Sequence, residues 1–103
     1  MFHKINLALQ VLPTSREKHP YAIVDKAIEI IQSSGLKYKV CPFETVIEGN
    51  YDEVMEVVRN VQLTCLNEGA ESIISNLKIQ ISRDSDVAIE DKIGKYEKQN
   101  GLP

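Results

Sequence analysis

The residues best suited to recognition chemistry occupy alternate positions of two segments: Asn6, Ala8 and Gln10 in one, and Ile74, Asn76, Lys78 and Gln80 in the other. Carboxamides present donors and acceptors side by side, so such a surface can read the edge of a heterocycle. The plainer reading is a solvated sheet face, or a wet interface between stacked sheets, because antiparallel sheets commonly show water one face. A second concentration of chemistry lies in Pro42-Phe43-Glu44-Thr45-Val46-Ile47-Glu48-Gly49. Glu48, beside a flexible glycine, offers a carboxylate to an amino group or a cationic ring, or else is an edge charge that discourages aggregation. Thr45 serves equally well as a strand former, and Phe43 either stacks on a ligand ring or covers the edge of the core.

Machinery for catalysis is missing from the pattern. His3 and His19 stand apart from any nucleophile motif of the GxSxG kind and read as surface histidines. Neither a P-loop nor a GxGxxG occurs, and the loop after the first alternating segment has no glycine to cradle a phosphate. Cys41 and Cys65, the only cysteines, form no CxxC and have no neighbouring histidine to complete a metal set; both read as buried thiols. Asp84 and Asp86 beside Arg83 read as solvated charge or helix caps in preference to a cation site. No catalytic residue, metal ligand or cofactor is assigned, and the expectation is a protein that binds a ligand without turning it over.

These side chains need elements to position them. From Lys4 to Leu12 the chain alternates, with Ile5, Leu7, Leu9 and Val11 on the apolar face, and Pro13-Thr14-Ser15 ends the strand. Pro20 suits the first turn of a helix running to about Ser34, whose stripe is Ile23, Val24, Ala27, Ile28 and Ile31 and whose closing residue is Gly35. Leu36 to Pro42 and Thr45 to Glu48 form a hairpin linked by Phe43-Glu44. Asn50 and Glu53 resemble a capping box for a second helix to about Glu68, with Val54, Val57, Val58, Val61 and Cys65 on one face and Gly69 as its stop. Ser72 to Ser82 alternates again, and Ser85 to about Gln99 holds Ile89, Ile93 and Tyr96 at helical spacing around Gly94, a weaker helix for a rim or a neighbour.

The order strand, helix, strand, strand, helix, strand predicts one domain over residues 1–103: an α+β, ferredoxin-like βαββαβ sandwich with a four-stranded antiparallel sheet. The first and last strands are expected side by side in the middle. Both helices should cover Ile5, Leu7, Leu9, Leu77, Ile79 and Ile81, leaving the amide-bearing face open. A formal charge of -3 and the lack of a basic tract argue against nucleic acid. The N-terminus shows no secretory leader, and no apolar run approaches bilayer length, so no membrane association and a cytoplasmic location are expected.

Several of these elements together resemble the small thiamine-binding protein family: the strand ending at Pro13, the Ser34-Gly35-Leu36-Lys37-Tyr38 turn, the Pro42…Thr45-Val46-Ile47-Glu48-Gly49 hairpin, Asp52-Glu53-Val54, Lys78-Ile79, Arg83 and Asp91-Lys92. The match spans nearly the whole chain, and its most specific piece is the Thr-Val-Ile-Glu-Gly run. Members commonly carry Met-Gly where Phe43-Glu44 stands here. The resemblance implies a ferredoxin-like fold, self-association into dimers or tetramers through sheet faces, and a thiamine or hydroxymethylpyrimidine ligand. An aminopyrimidine wants a donor–acceptor edge and a thiazolium wants an anion or an aromatic face, which makes Asn6, Gln10, Phe43, Thr45, Glu48 and Asn76 the candidate binding residues. The competing expectation is a ferredoxin-like assembly or regulatory module whose open faces pair without a dedicated ligand. An acylphosphatase-like enzyme would need an anion-binding loop where Arg16 sits among residues that include no glycine, and an RNA-binding sheet would need aromatics at Asn6, Ala8 and Gln10.

Overall fold

Seven elements follow one another: β1 (Ile5–Thr14), α1 (Pro20–Ser33), β2 (Lys37–Val40), β3 (Thr45–Gly49), α2 (Tyr51–Asn67), β4 (Ser72–Gln80) and α3 (Ile89–Asn100). The structure is a computed structural model describing residues 3–100, with side chains for residues 3–97. Met1 and Phe2, part of the segment read above for a leader, lie outside the described residues. The strands form one antiparallel sheet in the order β2-β3-β1-β4, the ferredoxin-like α+β arrangement that the sequence predicts. The expected position of β4 is corrected: it neighbours β1 but lies at the sheet edge, and the centre is β1 and β3. The β1–α1–β2 crossover leaves a one-strand gap that β3, returning from β2, fills, so the second crossover must deliver β4 outside β1.

The core forms because the apolar periods of strand and helix meet. Ile5, Leu7 and Leu9 of β1 and Ile47 of β3 are buried against Ile23, Ala27 and Ile31 of α1 and Val54, Val57, Val58, Val61 and Cys65 of α2. Pro20 stands at the start of α1, where His19 Nδ1 accepts the Tyr21 N–H at 3.2 Å. Gly35 and Gly69 follow the two helices with φ of 81° and 113°, a backbone region that side chains rarely tolerate.

Local chemistry departs from expectation at three points. Pro13 does not end β1: past Leu9 the strand has no β3 partner, while Pro13↔Ile73 and Thr14↔Ser72 still pair with β4. The Thr14 carbonyl accepts the Glu71 N–H at 2.7 Å, so alternation turns the missing N–H of Pro13 toward the vacant side. The hairpin turns at Pro42-Phe43 and not at Phe43-Glu44, because Val40 pairs with Thr45 and the Cys41 N–H donates to the Glu44 carbonyl at 3.0 Å. Finally, Asn50 makes no side-chain cap to α2; its Nδ2 donates to Glu53 Oε1 at 2.9 Å.

The two sheet faces also differ from expectation. On the helix face, Leu77, Ile79 and Ile81 are 36%, 41% and 47% exposed, because α2 meets only the start of β4, where Ile73 joins the core and Gln62 Nε2 donates to Ser75 Oγ at 2.9 Å. The opposite face is not open, since α3 lies across it. Among the described residues no helix is long and apolar enough to cross a membrane.

Candidate functional site

Residues opposite one another in antiparallel strands share a face, so the register spells out the floor beneath α3. One row reads Lys37, Glu48, Asn6, Gln80 from β2 to β4, and the next reads Lys39, Val46, Ala8, Lys78. The second row has two small or branched apolar residues in its middle and an ammonium at each end, three strand spacings or about 14 Å apart at the backbone. Cys41 and Glu44 continue the floor beyond Lys39 and Val46.

The C-terminal segment is fastened over the first row by polar contacts, of which those of Asn6 are buried. The Val87 N–H donates to the Lys4 carbonyl at 2.9 Å, and the Lys4 N–H donates to Asp86 Oδ1 at 2.7 Å. Glu48 Oε1 accepts the Ile89 N–H at 2.6 Å, placing a carboxylate at the positive end of α3. Asn6 is 4% exposed; with its amide oriented to satisfy its neighbours, it donates to the Val87 and Ile5 carbonyls at 2.9 and 3.2 Å and accepts from Lys92 Nζ at 3.2 Å. Lys37 Nζ lies 3.9 Å from Glu90 Oε2 in the first turn of the helix, and farther along it Lys39 pairs with Glu97. The hydrogen bond to Glu97 raises the Lys39 pKa above its ordinary value.

Between floor and helix lies a cleft of about 300 Å³. Ala8 and Val46 form its base and Ile89 and Ile93 its roof, while Lys39, Lys78, Lys92, Glu44 and Gln80 stand around the edge. Lys78 Nζ lies 3.3 Å from Glu44 Oε1 across one mouth. Two apolar surfaces facing each other with polar groups at their margins suit a flat ring with polar substituents.

The candidate residues read from the sequence divide into separate groups. Asn6 lines the cleft, and Glu48 adjoins it at the root of α3. Gln10 and Asn76 bond to each other, Nδ2 of Asn76 donating to Oε1 of Gln10 at 3.1 Å, about 13 Å along β1 from Asn6. Thr45 lies opposite Leu9 on the helix face and is 7% exposed, while Phe43 projects from the hairpin at 82% exposure. The residues missed by the sequence reading are Lys39, Glu44, Val46 and the underside of α3. Strand parity counted from Glu48 and Val46 identifies Lys37 and Lys39 as sharing their face; no comparable local signal aims Lys92 at Asn6.

Cys41 borders the cleft and is half-buried, which corrects the expectation of two buried thiols; Cys65 is wholly buried, and burial pushes its pKa up. Iodoacetamide at roughly neutral pH is expected to alkylate Cys41 in the folded protein and Cys65 only after unfolding, read by peptide mass spectrometry. Equal rates at the two sites would contradict this placement.

An antiparallel β2-β3-β1-β4 sheet with two helices on one face and a third roofing a cleft on the other defines a ferredoxin-like α+β protein. The chain belongs to the thiamine-binding protein family, whose profile it matches over residues 7–97. It is 42% identical over 91 residues to a UPF0045 protein of Clostridium perfringens, covering 88% of this chain and 95% of that one. Among solved structures, a Bacillus cereus domain of unknown function superposes with a TM-score of 0.90 at 36% identity, over 95% of this chain and 94% of that one. A Thermotoga maritima protein provisionally assigned to thiamine biosynthesis or salvage superposes with a TM-score of 0.80 at 30% identity, over 90% of this chain and 98% of that one.

Proposed function

We propose that this protein binds thiamine, or its hydroxymethylpyrimidine moiety, in the cleft beneath α3, and that it does so without catalysing a reaction. The observation that carries this reading is the pairing of an Ala8–Val46 floor with an Ile89–Ile93 roof, a slot suited to a flat heterocycle. Family membership and the provisional assignment of the Thermotoga relative support the choice of heterocycle. Glu44 and Gln80 are placed to meet ring substituents, whereas Asn6 and Glu48 are occupied in holding the roof. Two free thiols fit a reducing cytoplasm, where we place the protein. Self-association is supported by the apolar side chains of Leu77 and Ile79 left exposed on the edge strand β4, and of Ile81 just beyond its end.

Calorimetry with thiamine and with hydroxymethylpyrimidine tests the assignment. Saturable heat is expected, and a melting temperature higher by roughly 10 °C when the ligand stands at about a hundred times its Kd. Absence of heat and of any thermal shift with both compounds at about millimolar concentration, a level that would reveal even weak binding, would remove the proposal.

A further inference from the structure

The charge around the cleft favours a ligand that carries an anionic group as well as its ring. Lys39, Lys78 and Lys92 line it against one lining carboxylate, Glu44. Lys39 is matched by Glu97 and Lys78 by Glu44, but among the described residues the partner of Lys92 in the cleft is the neutral amide oxygen of Asn6. No carboxylate lies within ion-pair distance of the Lys92 ammonium among the described residues. Lys92 is held there by a side chain that is itself 4% exposed and fixed by two backbone carbonyls, so its position beside the first sheet row is built in. Lys78 stands one register step away on the neighbouring strand, since Asn6 pairs with Gln80 and Ala8 with Lys78.

We propose that the ligand of this cleft is a phosphate ester of the heterocyclic alcohol, its ring between sheet and helix and its phosphate between Lys78 and Lys92 at the β4 mouth. This rests on the binding site assigned above and specifies the chemical class that the site prefers. A phosphate dianion accepts hydrogen bonds from both ammonium groups, and it gives Lys92 the anion that the protein does not supply. In thiamine monophosphate it also offsets the thiazolium, which would otherwise sit among lysines without a counter-charge of its own. Lys78 is free to turn from Glu44, because its side chain is 77% exposed.

Calorimetry on the full chain with thiamine, thiamine monophosphate and inorganic phosphate decides the matter. The monophosphate is expected to bind about tenfold tighter than thiamine, two solvent-accessible ion pairs contributing up to about fivefold each. That advantage should shrink between low and high salt. Lys92→Met and Lys78→Met should each reduce the ratio of the two affinities, and Lys92→Arg should restore it. Equal or weaker binding of the monophosphate, with thiamine still bound, overturns the phosphate preference and leaves the binding site standing. Inorganic phosphate binding as tightly as the ester overturns the requirement for the ring. If neither thiamine nor its monophosphate binds, both proposals fall together.

Discussion

Replacing Ala8 by Phe is expected to lower thiamine affinity at least about a hundredfold, or about 2.7 kcal/mol, while the protein remains folded. Ala8 faces the cleft from the centre of the sheet, between Val46 and Lys78 in register and beneath Ile89 and Ile93. A benzyl group there fills the slot intended for the ligand ring, and the new side chain shares apolar surface with the same four residues. The exchange leaves the core intact, because Ile5, Leu7 and Leu9 of the same strand point to the other face. Phe is also well suited to a strand. Denaturant unfolding should therefore shift by no more than about 1 kcal/mol, in contrast to the several expected from disturbing the packed side. Calorimetry and urea titration of the variant measure the two quantities separately. Undiminished thiamine binding by a folded Ala8→Phe protein would place the site elsewhere.

The parts of this fold that rest on local periodicity can be read from the sequence, and the parts that rest on long-range contacts cannot. Ile5, Leu7 and Leu9 alternate and are buried; Val54, Val57, Val58, Val61 and Cys65 recur at helical spacing and are buried; Gly35 and Gly69 adopt the positive φ that helix stops require. Alternation assigns Leu77 and Ile79 to the helix face equally clearly, yet it says nothing about how far α2 extends over β4, and both stay exposed. Thr45 and Glu48 lie close in sequence, but their odd separation in a strand places them on opposite faces. The site itself was the least legible. Its roof is a short helix with only Ile89 and Ile93 to bury, and what directs that helix to the sheet is a set of contacts from β1 and β3 to a segment some forty to eighty residues away. Such contacts leave no periodic trace. They do explain why Asn6 and Glu48, which look like ligand-binding polar groups in isolation, are turned toward the protein's own backbone.

That role gives Glu48 a consequence beyond the cleft wall. Its carboxylate meets the Ile89 N–H at 2.6 Å in a partly buried setting, satisfying one of the donors that every helix start leaves unpaired. Glu48→Ala removes a hydrogen bond to a charged acceptor, about 1.5–3 kcal/mol, together with a favourable charge at the helix N-terminus. The loss falls on the docking of α3, because the core lies across the sheet and shares no residue with this contact. The equilibrium between docked and undocked α3 should move toward the undocked form by about tenfold or more. Hydrogen exchange across residues 89–97 should accelerate correspondingly, with β1, β3 and α2 keeping their protection, and thiamine affinity should fall because the Ile89–Ile93 roof is less often in place. Glu48→Gln, which keeps a carbonyl acceptor but not the charge, should fall between the two. Exchange rates in α3 that match those of the unaltered protein would show that the helix is held by Asn6, the lysine pairs and its two isoleucines alone.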